Sequence, residues 1–514
     1  MRKQDLHLRT LARQGDALAK LRLGRIYLNG TESIPRNIAA GLSYLRGTGL
    51  PIVCADVAMT IAESLQLQEI LEHDQLDALK LAASSSPQAQ LKLAIWLLLT
   101  GDHTAAVTVL ERTPAAWGKV LAALKDSNQS SRLRTALWAA AAAQPMDTQA
   151  VVRSAINMAS RRKDLPSIVS LLAASVDVSG EISQSLHDAV VEAVGLAEAP
   201  GHSLGELEIP QIQASLERAS ARGDIKASYL LGRALCGINC GGLPWQRIVS
   251  GTNLRKGSAL LLRVADSGNT DAWLHLYRIS SDYRCSVANP QLARFCLEKA
   301  AYGGSTEAQR RLGALEMREA MSVADAERAL DLLFRASAKG DSHAKTLLAS
   351  LVLPVQGNED DARRLIADVK AIDPWLAIRL RLARHFGLTK QEALSVDPAA
   401  GLRPWGLVVG HNPFIMHTRL SSPRAVPAIS EEALSCAVSA AALFRDGNVV
   451  NDSVEGNPRK RAMTLRRVFE RLELKEAMFF ATASSSERDA LRIGPRWAHK
   501  TRHTLKLALS EHMP

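Results

Sequence analysis

The chain has 514 residues, 47% of them hydrophobic and only 4% aromatic, and 63 Lys and Arg against 52 Asp and Glu give it a net charge of +11. That apolar content can fill a large core, while the preponderance of Ala and Leu over β-branched and aromatic residues argues against a β-sandwich and for closely packed helices. No window approaches 18 consecutive apolar residues and the charged amino terminus has no run of signal-peptide length, so no transmembrane segment is expected and the expected location is cytoplasmic.

In chain order, residues 1–110 show helical periodicity. Residues 111–205 continue it, with helices expected over Arg132–Ala143 and Gln149–Arg162 and breakers at Asp126–Ser131, Pro145 and Pro166. The stretch Ala199–Gly205 reads as a hinge, and Gly237–Gly251 as a long loop. Beyond Pro354 helical periodicity holds over Asp361–Ala393. Pro398–Pro427, with Pro404, Pro413, Pro423, Trp405 and Phe414 inside it and the apolar run Leu407–Val409, reads as irregular. Helices are expected again at Glu431–Phe444, Arg459–Phe480 and Arg488–Leu509.

Between about 212 and 350 a pattern recurs. The spacing Ala-x-x-x-Leu-Gly occurs as Ala227–Leu231–Gly232 and Ala308–Leu312–Gly313, and with another last residue at Ala272–Leu276–Tyr277 and Ala344–Leu348–Ala349. Four residues before each alanine stands a glycine: Gly223, Gly268, Gly304 and Gly340. The last three copies are 36 residues apart. Small residues at fixed positions let helix backbones approach closely, and a glycine after a helix permits the left-handed turn that ends it.

The pattern resembles the Sel1-like repeat, a tetratricopeptide-related helical hairpin. Near the amino terminus Ala19–Leu23–Gly24–Tyr27–Gly30 matches the first half of that repeat, Ile34–Asn37 its loop, and Tyr44 falls at its Trp position. The resemblance implies an all-α fold, an α/α superhelix or solenoid of helical hairpins, here with a C-terminal helical domain. Degenerate Sel1-like hairpins are expected over 1–110, a helical-repeat continuation over 111–205, a Sel1-like array over 206–355, and a C-terminal domain with the Pro-rich segment and a basic end over 356–514. Gly24, Gly232, Gly268, Gly304, Gly313 and Gly340 are the repeat's structural residues. The function implied is a non-catalytic scaffold or adaptor that binds protein partners on its concave face, without cofactor or metal.

Two other readings stay open. Between Arg459 and Lys506 stand nine Arg and four Lys against four Glu and one Asp, a local charge of about +8. Arg459, Lys460, Arg461, Arg466, Arg467, Arg496, Lys500 and Arg502 form a candidate surface for nucleic acid or an acidic partner, with Trp497 positioned to stack on a base. This would make the chain a nucleic-acid-associated regulator. Alternatively it is an enzyme with an unfamiliar site near His411 and His417, although no phosphate loop, zinc-protease or nucleophile-elbow motif occurs. The six cysteines, Cys54, Cys236, Cys240, Cys285, Cys296 and Cys436, read as core thiols, with zinc or a disulfide among the central four as alternatives. Cys296 takes the place of a core aromatic of the repeat.

Overall fold

The structure, a computed structural model, describes residues 3–46, 55–112, 118, 121–122, 148–175, 182, 184–205, 207–410, 423–447, 455–492 and 494–509. The expected helix at 132–143, its flanking breakers at 126–131 and Pro145, and Cys54, His411 and His417 lie outside those residues. The fold is all-α helical repeat, and the chain divides into two compact units, Met1–Val264 and Ala265–Pro514.

The first unit is built of α1 (Lys3–Arg13), α2 (Ala17–Asn29), α3 (Ile38–Arg46), α4 (Ala55–Ser64), α5 (Leu67–Glu72), α6 (Leu76–Ala82), α7 (Pro87–Leu99), α8 (His103–Glu111), α9 (Thr148–Arg162), α10 (Leu165–Ala174), α11 (His187–Leu196), α12 (Ile209–Ala221), α13 (Ile225–Leu235) and α14 (Leu254–Asp266). The second begins with α15 (Thr270–Ser281), α16 (Pro290–Tyr302), α17 (Thr306–Glu319), α18 (Val323–Ala338) and α19 (Ser342–Ala349). The stretch Ala199–Gly205, read as a hinge, is a turn inside the first unit.

One joint recurs through both units. After α12 the chain turns at Gly223 (φ +95°), and the amide of Asp224 reaches back five residues to the Ala219 carbonyl at 3.1 Å. The Asp224 carboxylate then caps α13 by accepting from the Ala227 amide at 3.0 Å. Gly304 with Ser305 and Gly340 with Asp341 repeat the arrangement before α17 and α19, and Gly15 with Asp16 and Gly101 with Asp102 repeat it before α2 and α8. A left-handed residue satisfies the last carbonyls of one helix, and its neighbour satisfies the first amides of the next. Before α15 Gly268 takes the left-handed turn (φ +100°), and Asn269 accepts from the Ala272 amide at 3.0 Å. Between α9 and α10 the left-handed position is held by Lys163 (φ +55°), with Asp164 as the cap. The capping residue was not part of the sequence pattern, which stopped at the glycine.

The two helices of a hairpin meet at a second set of small residues. A Cβ on Gly24 would lie 3.2 Å from the Gly41 carbonyl, and one on Gly41 would lie 3.1 Å from the Gly24 carbonyl, so the α2 and α3 backbones touch through paired glycines. Gly232 and Gly257 pair α13 with α14 in the same way. At Gly313 the facing atoms are the Ala329 carbonyl, 2.9 Å from a Cβ, and the Leu333 side chain. Gly41 and Gly257 are therefore half of each contact, although the repeat pattern singled out only Gly24 and Gly232. The Gly237–Gly251 loop carries a 3₁₀ turn at Trp245–Arg247 and a bridge between Cys240 and Leu243, and the Arg233 guanidinium donates to the Asn239 carbonyl at 2.6 Å. A buried lysine serves α4: Lys92 Nζ donates to the carbonyls of Ala62 and Leu65 at 2.6 and 2.7 Å, closing the helix end.

Past the repeats the second unit continues with α20 (Glu359–Ile372), α21 (Pro374–His385), α22 (Lys390–Ser395), α23 (Pro398–Gly401), β1 (Leu402–Arg403), β2 (Gly406–Val409), β3 (Arg424–Pro427), α24 (Glu431–Gly447), α25 (Pro458–Arg471), α26 (Ser485–Arg492), α27 (Gly494–Lys500) and α28 (Arg502–Leu509). The segment read as irregular forms a three-stranded antiparallel sheet in the order β1-β2-β3, with Arg403 opposite Gly406 and Leu407 opposite both Leu402 and Val426. The turn is Pro404–Trp405, and a Cβ at Gly406 would lie 2.3 Å from the Val426 carbonyl, so only glycine fits there. All four residues of β2 are buried, which explains an uninterrupted apolar run that is too short for a helix.

A buried ion pair locks this sheet to the helices. Arg424 on β3 donates to both Glu392 oxygens, at 2.7 and 3.1 Å, and to the Gly387 carbonyl at 3.0 Å. Glu392 also accepts from the Thr389 amide at 2.9 Å, as part of the capping box of α22. Burial alone would raise the Glu392 carboxyl, but the Arg424 and Thr389 donors bring it below its ordinary value. The carboxy-terminal helices α27 and α28 pack on α17 and α19, and Trp497, Leu505 and Ala508 share a core with Met317, Leu347 and Leu348. The basic end thus covers the last repeat helices, α17 and α19.

Two substitutions separate the two kinds of joint. Gly313→Leu is expected to lower stability by about 1–3 kcal/mol, because the facing backbone leaves no room for a side chain. Lys163→Gly is expected to raise it by about 1 kcal/mol, because a left-handed lysine is replaced by the residue that adopts that conformation without strain. Urea melts of the full chain read both, and a Gly313→Leu curve that overlays the wild type would count against the seam.

Candidate functional site

Within residues 265–349 two chemistries stand apart from the apolar packing, one charged and mostly buried, the other apolar and exposed. On α15, α17 and α19 a charged ladder crosses consecutive hairpins. Glu307 accepts from Arg278 at 2.9 Å and pairs with Arg311 at 2.8 Å, and Arg310 reaches Asp341 at 3.2 Å. The Arg311 guanidinium also lies 5.7 Å from the Tyr277 ring centroid. Burial would push the Glu307 carboxyl up, but Arg278 and Arg311 outweigh it and hold the group below its ordinary value. These charges are engaged with one another across the stack.

The other chemistry is apolar and exposed. On α16, Leu292, Phe295 and Tyr302 recur at intervals of three and seven residues, which places them on one helical stripe. Phe295 is 45% exposed and Tyr302 69%. Trp273 of α15 meets Phe295 edge-on at 5.7 Å, and Lys299 Nζ lies 5.4 Å from the Phe295 ring. Met321, in the turn after α17, is exposed as well. The repeat pattern weighed only the small residues and gave no sign of this stripe.

The basic carboxy-terminal set is split by the structure. Trp497 is fully buried and its indole donates to Ser350 Oγ at 3.0 Å, so no ring face is left to stack on a base. Arg461 turns inward, donating to the Leu394 carbonyl at 2.9 Å beside Glu455, which Arg379 grips with two bonds of 2.7 Å. Burial, with Arg379 close by, pushes Arg461 down to about 10. Arg459, Lys460, Arg466, Arg467, Arg496, Lys500 and Arg502 stay exposed. Arg466 pairs with Glu470 at 2.7 Å on its own helix. The stripe of Leu465, Val468 and Phe469 is buried opposite the exposed side of α25.

A third feature is a groove of about 1080 Å³ in the carboxy-terminal region, absent from the sequence reading. Its floor is α21, with Trp375, Ile378 and Arg381. One wall is α20, with Arg363, Ile366 and Lys370, and the other is α24, with Glu431, Glu432 and Leu443. Ser430 starts α24 by accepting from the Ala433 amide at 3.1 Å, and Asn358 and Asp373 cap α20 and α21. At one end Arg384 is consumed by Glu359 and three carbonyls. His385, half-buried beside it, is held below its usual value by burial.

The cysteines Cys236, Cys240, Cys285, Cys296 and Cys436 are free thiols. Burial pushes the Cys240 thiol up to about 12 and Cys296 to about 11, which makes both poor nucleophiles. Among the described residues no cluster of three or more His, Cys, Asp or Glu is arranged to hold a metal, and no helix is long and apolar enough to cross a membrane.

The Sel1 repeat family matches residues 17–46, 282–305 and 306–341. No curated protein matches the chain. Among solved structures it is similar to a protective antigen present in uropathogenic Escherichia coli strains that displays an SLR fold, with 18% identity, 97% of each chain covered and a TM-score of 0.29. It is also similar to a Sel1 repeat protein from Oxalobacter formigenes, with 19% identity, 68% of this chain and 91% of that chain covered, and a TM-score of 0.24.

The split of the basic set has a measurable signature. Trp497→Ala is expected to cost about 3–5 kcal/mol, as for a large core side chain. Lys500→Ala, three residues on and exposed, is expected to stay within about 0.5 kcal/mol of wild type. Equal effects in thermal melts would contradict the inward placement of the indole.

Proposed function

We propose that this chain, a Sel1-repeat protein, is a non-catalytic scaffold that holds a protein partner on its second unit. Sel1 repeats generally mediate protein interactions, and proteins built on them are generally non-catalytic. The observation that carries the reading is the stripe of Leu292, Phe295 and Tyr302, which lies inside the matched repeat at 282–305. Contiguous exposed apolar residues on an otherwise well-packed repeat mark an interaction surface, and aromatic rings supply most of the energy at such surfaces. Lys299 beside Phe295 adds a polar edge that suits a protein partner. The free thiols among the described residues suit a cytoplasmic setting.

The nucleic-acid reading has lost its stacking ring, and no observation favours it over the scaffold. The enzyme reading rests on His411, outside the described residues.

The test is a crosslinking pull-down from the native source with the wild-type chain and with a Phe295→Asp/Tyr302→Asp variant. Both side chains are exposed, so the thermal melt is expected to hold while recovery of the specific partner falls at least tenfold. Equal recovery by the two chains, with the melts matched, would remove α16 as the binding surface.

A further inference from the structure

We infer that the outward face of α25 is a second docking surface, and that its occupant is an acidic amphipathic helix of a protein partner, with carboxylates along one side and an apolar edge beside them. The inference stands apart from the α16 stripe, with which this face shares no residue, so either can fail alone.

The exposed side of α25 carries Arg459, Lys460, Arg466, Arg467 and Arg471 against Glu470, a net charge of +4. Glu470 is already engaged by Arg466 at 2.7 Å. The acids around the helix are engaged as well. Glu455 is held by Arg379 and Arg461, Asp397 caps α23, and Glu392 is held by Arg424. Glu476 pairs with Lys390 of α22, the helix that packs on α25. Past the end of α25, Glu473 and Lys475 are both exposed and offset each other in charge. Among the described residues, Arg459, Lys460, Arg467 and Arg471 have no ion-pair partner.

The unpaired cations form a row. Lys460, Arg467 and Arg471 are seven and four residues apart, so they fall within about 40° of one another around the helix and span about 17 Å along it. A second helix laid alongside has the same repeat, so carboxylates seven and four residues apart on it meet all three. The guanidinium fork matches a carboxylate with two parallel bonds. Exposed pairs are weak one at a time, and a row engages several together.

Beside the row the surface is apolar. Met463 is 74% exposed and borders a recess of about 630 Å³ that also touches Ala462, Phe469 and Leu474. The charges on its rim, Arg466 with Glu470 and Lys390 with Glu476, neutralise each other. The recess therefore accepts an uncharged apolar side chain, while the row accepts carboxylates. A nucleic-acid strand would use the row alone, and α25 exposes no ring on which a base could stack. A bilayer would call for an apolar face that enters it, and Leu465, Val468 and Phe469 are turned into the core.

The probe is a stapled helical peptide of about four turns, labelled for fluorescence anisotropy, with glutamates seven and four residues apart on one face and leucines on the adjoining face. Its charge control carries glutamine for glutamate, and its pattern control has the same composition with the glutamates moved around the helix. On the full chain at low salt the acidic peptide is expected to bind at least tenfold tighter than either control. Arg467→Glu/Arg471→Glu is expected to erase the margin over the glutamine control, and Met463→Asp to weaken both of those peptides at least fivefold. All three side chains are exposed, and Arg467→Gln/Arg471→Gln provides a second measurement should the charge reversal alter the melt. A pattern control that binds as well as the acidic peptide, a margin that survives both double substitutions, or binding that Met463→Asp leaves unchanged would overturn the proposal. So would tighter binding of a single-stranded oligonucleotide, or of phosphatidylcholine vesicles containing phosphatidylserine, than of the acidic peptide at the same salt.

Discussion

The helix-to-helix reversal is the constraint on which the repeats depend. A helix ends with carbonyls in need of donors, and the next begins with amides in need of acceptors. Three residues must meet both needs while turning the chain back on itself. The left-handed residue lets the amide after it reach the fifth carbonyl back, and the side chain of that same residue then accepts from the next helix. Gly223–Asp224, Gly304–Ser305 and Gly340–Asp341 each do both tasks with two residues. With the turn fixed, the helices are brought to a set approach, and the glycine pairs Gly24–Gly41 and Gly232–Gly257 become possible contacts between backbones.

Much of this was legible in the residues, because the demands are local. A left-handed turn and a backbone contact both select glycine, so they leave a mark at fixed spacing that periodicity can find. The partners of those glycines were harder to read. The capping position accepts Asp, Asn or Ser, and so never shows as one conserved letter within the chain. Gly41 and Gly257 follow their partners by 17 and 25 residues, because the loop between paired helices changes length. The sheet escaped for another reason. Its strands are two to four residues long, and a buried apolar run of that length has no period to distinguish it from a helix turn.

The carboxy-terminal region shows why charge counts along a sequence mislead about surfaces. Nine arginines cluster there, yet Arg461 is drawn into a buried group with Arg379 and Glu455, and Trp497 anchors the cover of α17 and α19. An end repeat needs its apolar face covered and its outer face polar. The exposed Arg496, Lys500 and Arg502 are on the solvent side of helices that meet the first need. The groove was invisible for the complementary reason: its walls come from residues 363–370 and 431–443, and nothing in either stripe alone announces the other.

The hairpins have one stiff joint and one slack one. The reversals at residues 14–16, 222–224, 267–269, 303–305 and 339–341 are each three residues long. The loops inside hairpins span 30–37, 236–253, 282–289 and 320–322, from three residues to eighteen. Copying errors, insertions and new sequence can therefore accumulate inside a hairpin without altering the angle at which the next one is laid down. Such a chain can drift in period while keeping its pitch, and foreign sequence grafted into it belongs at those slack loops, where the stack does not register its length.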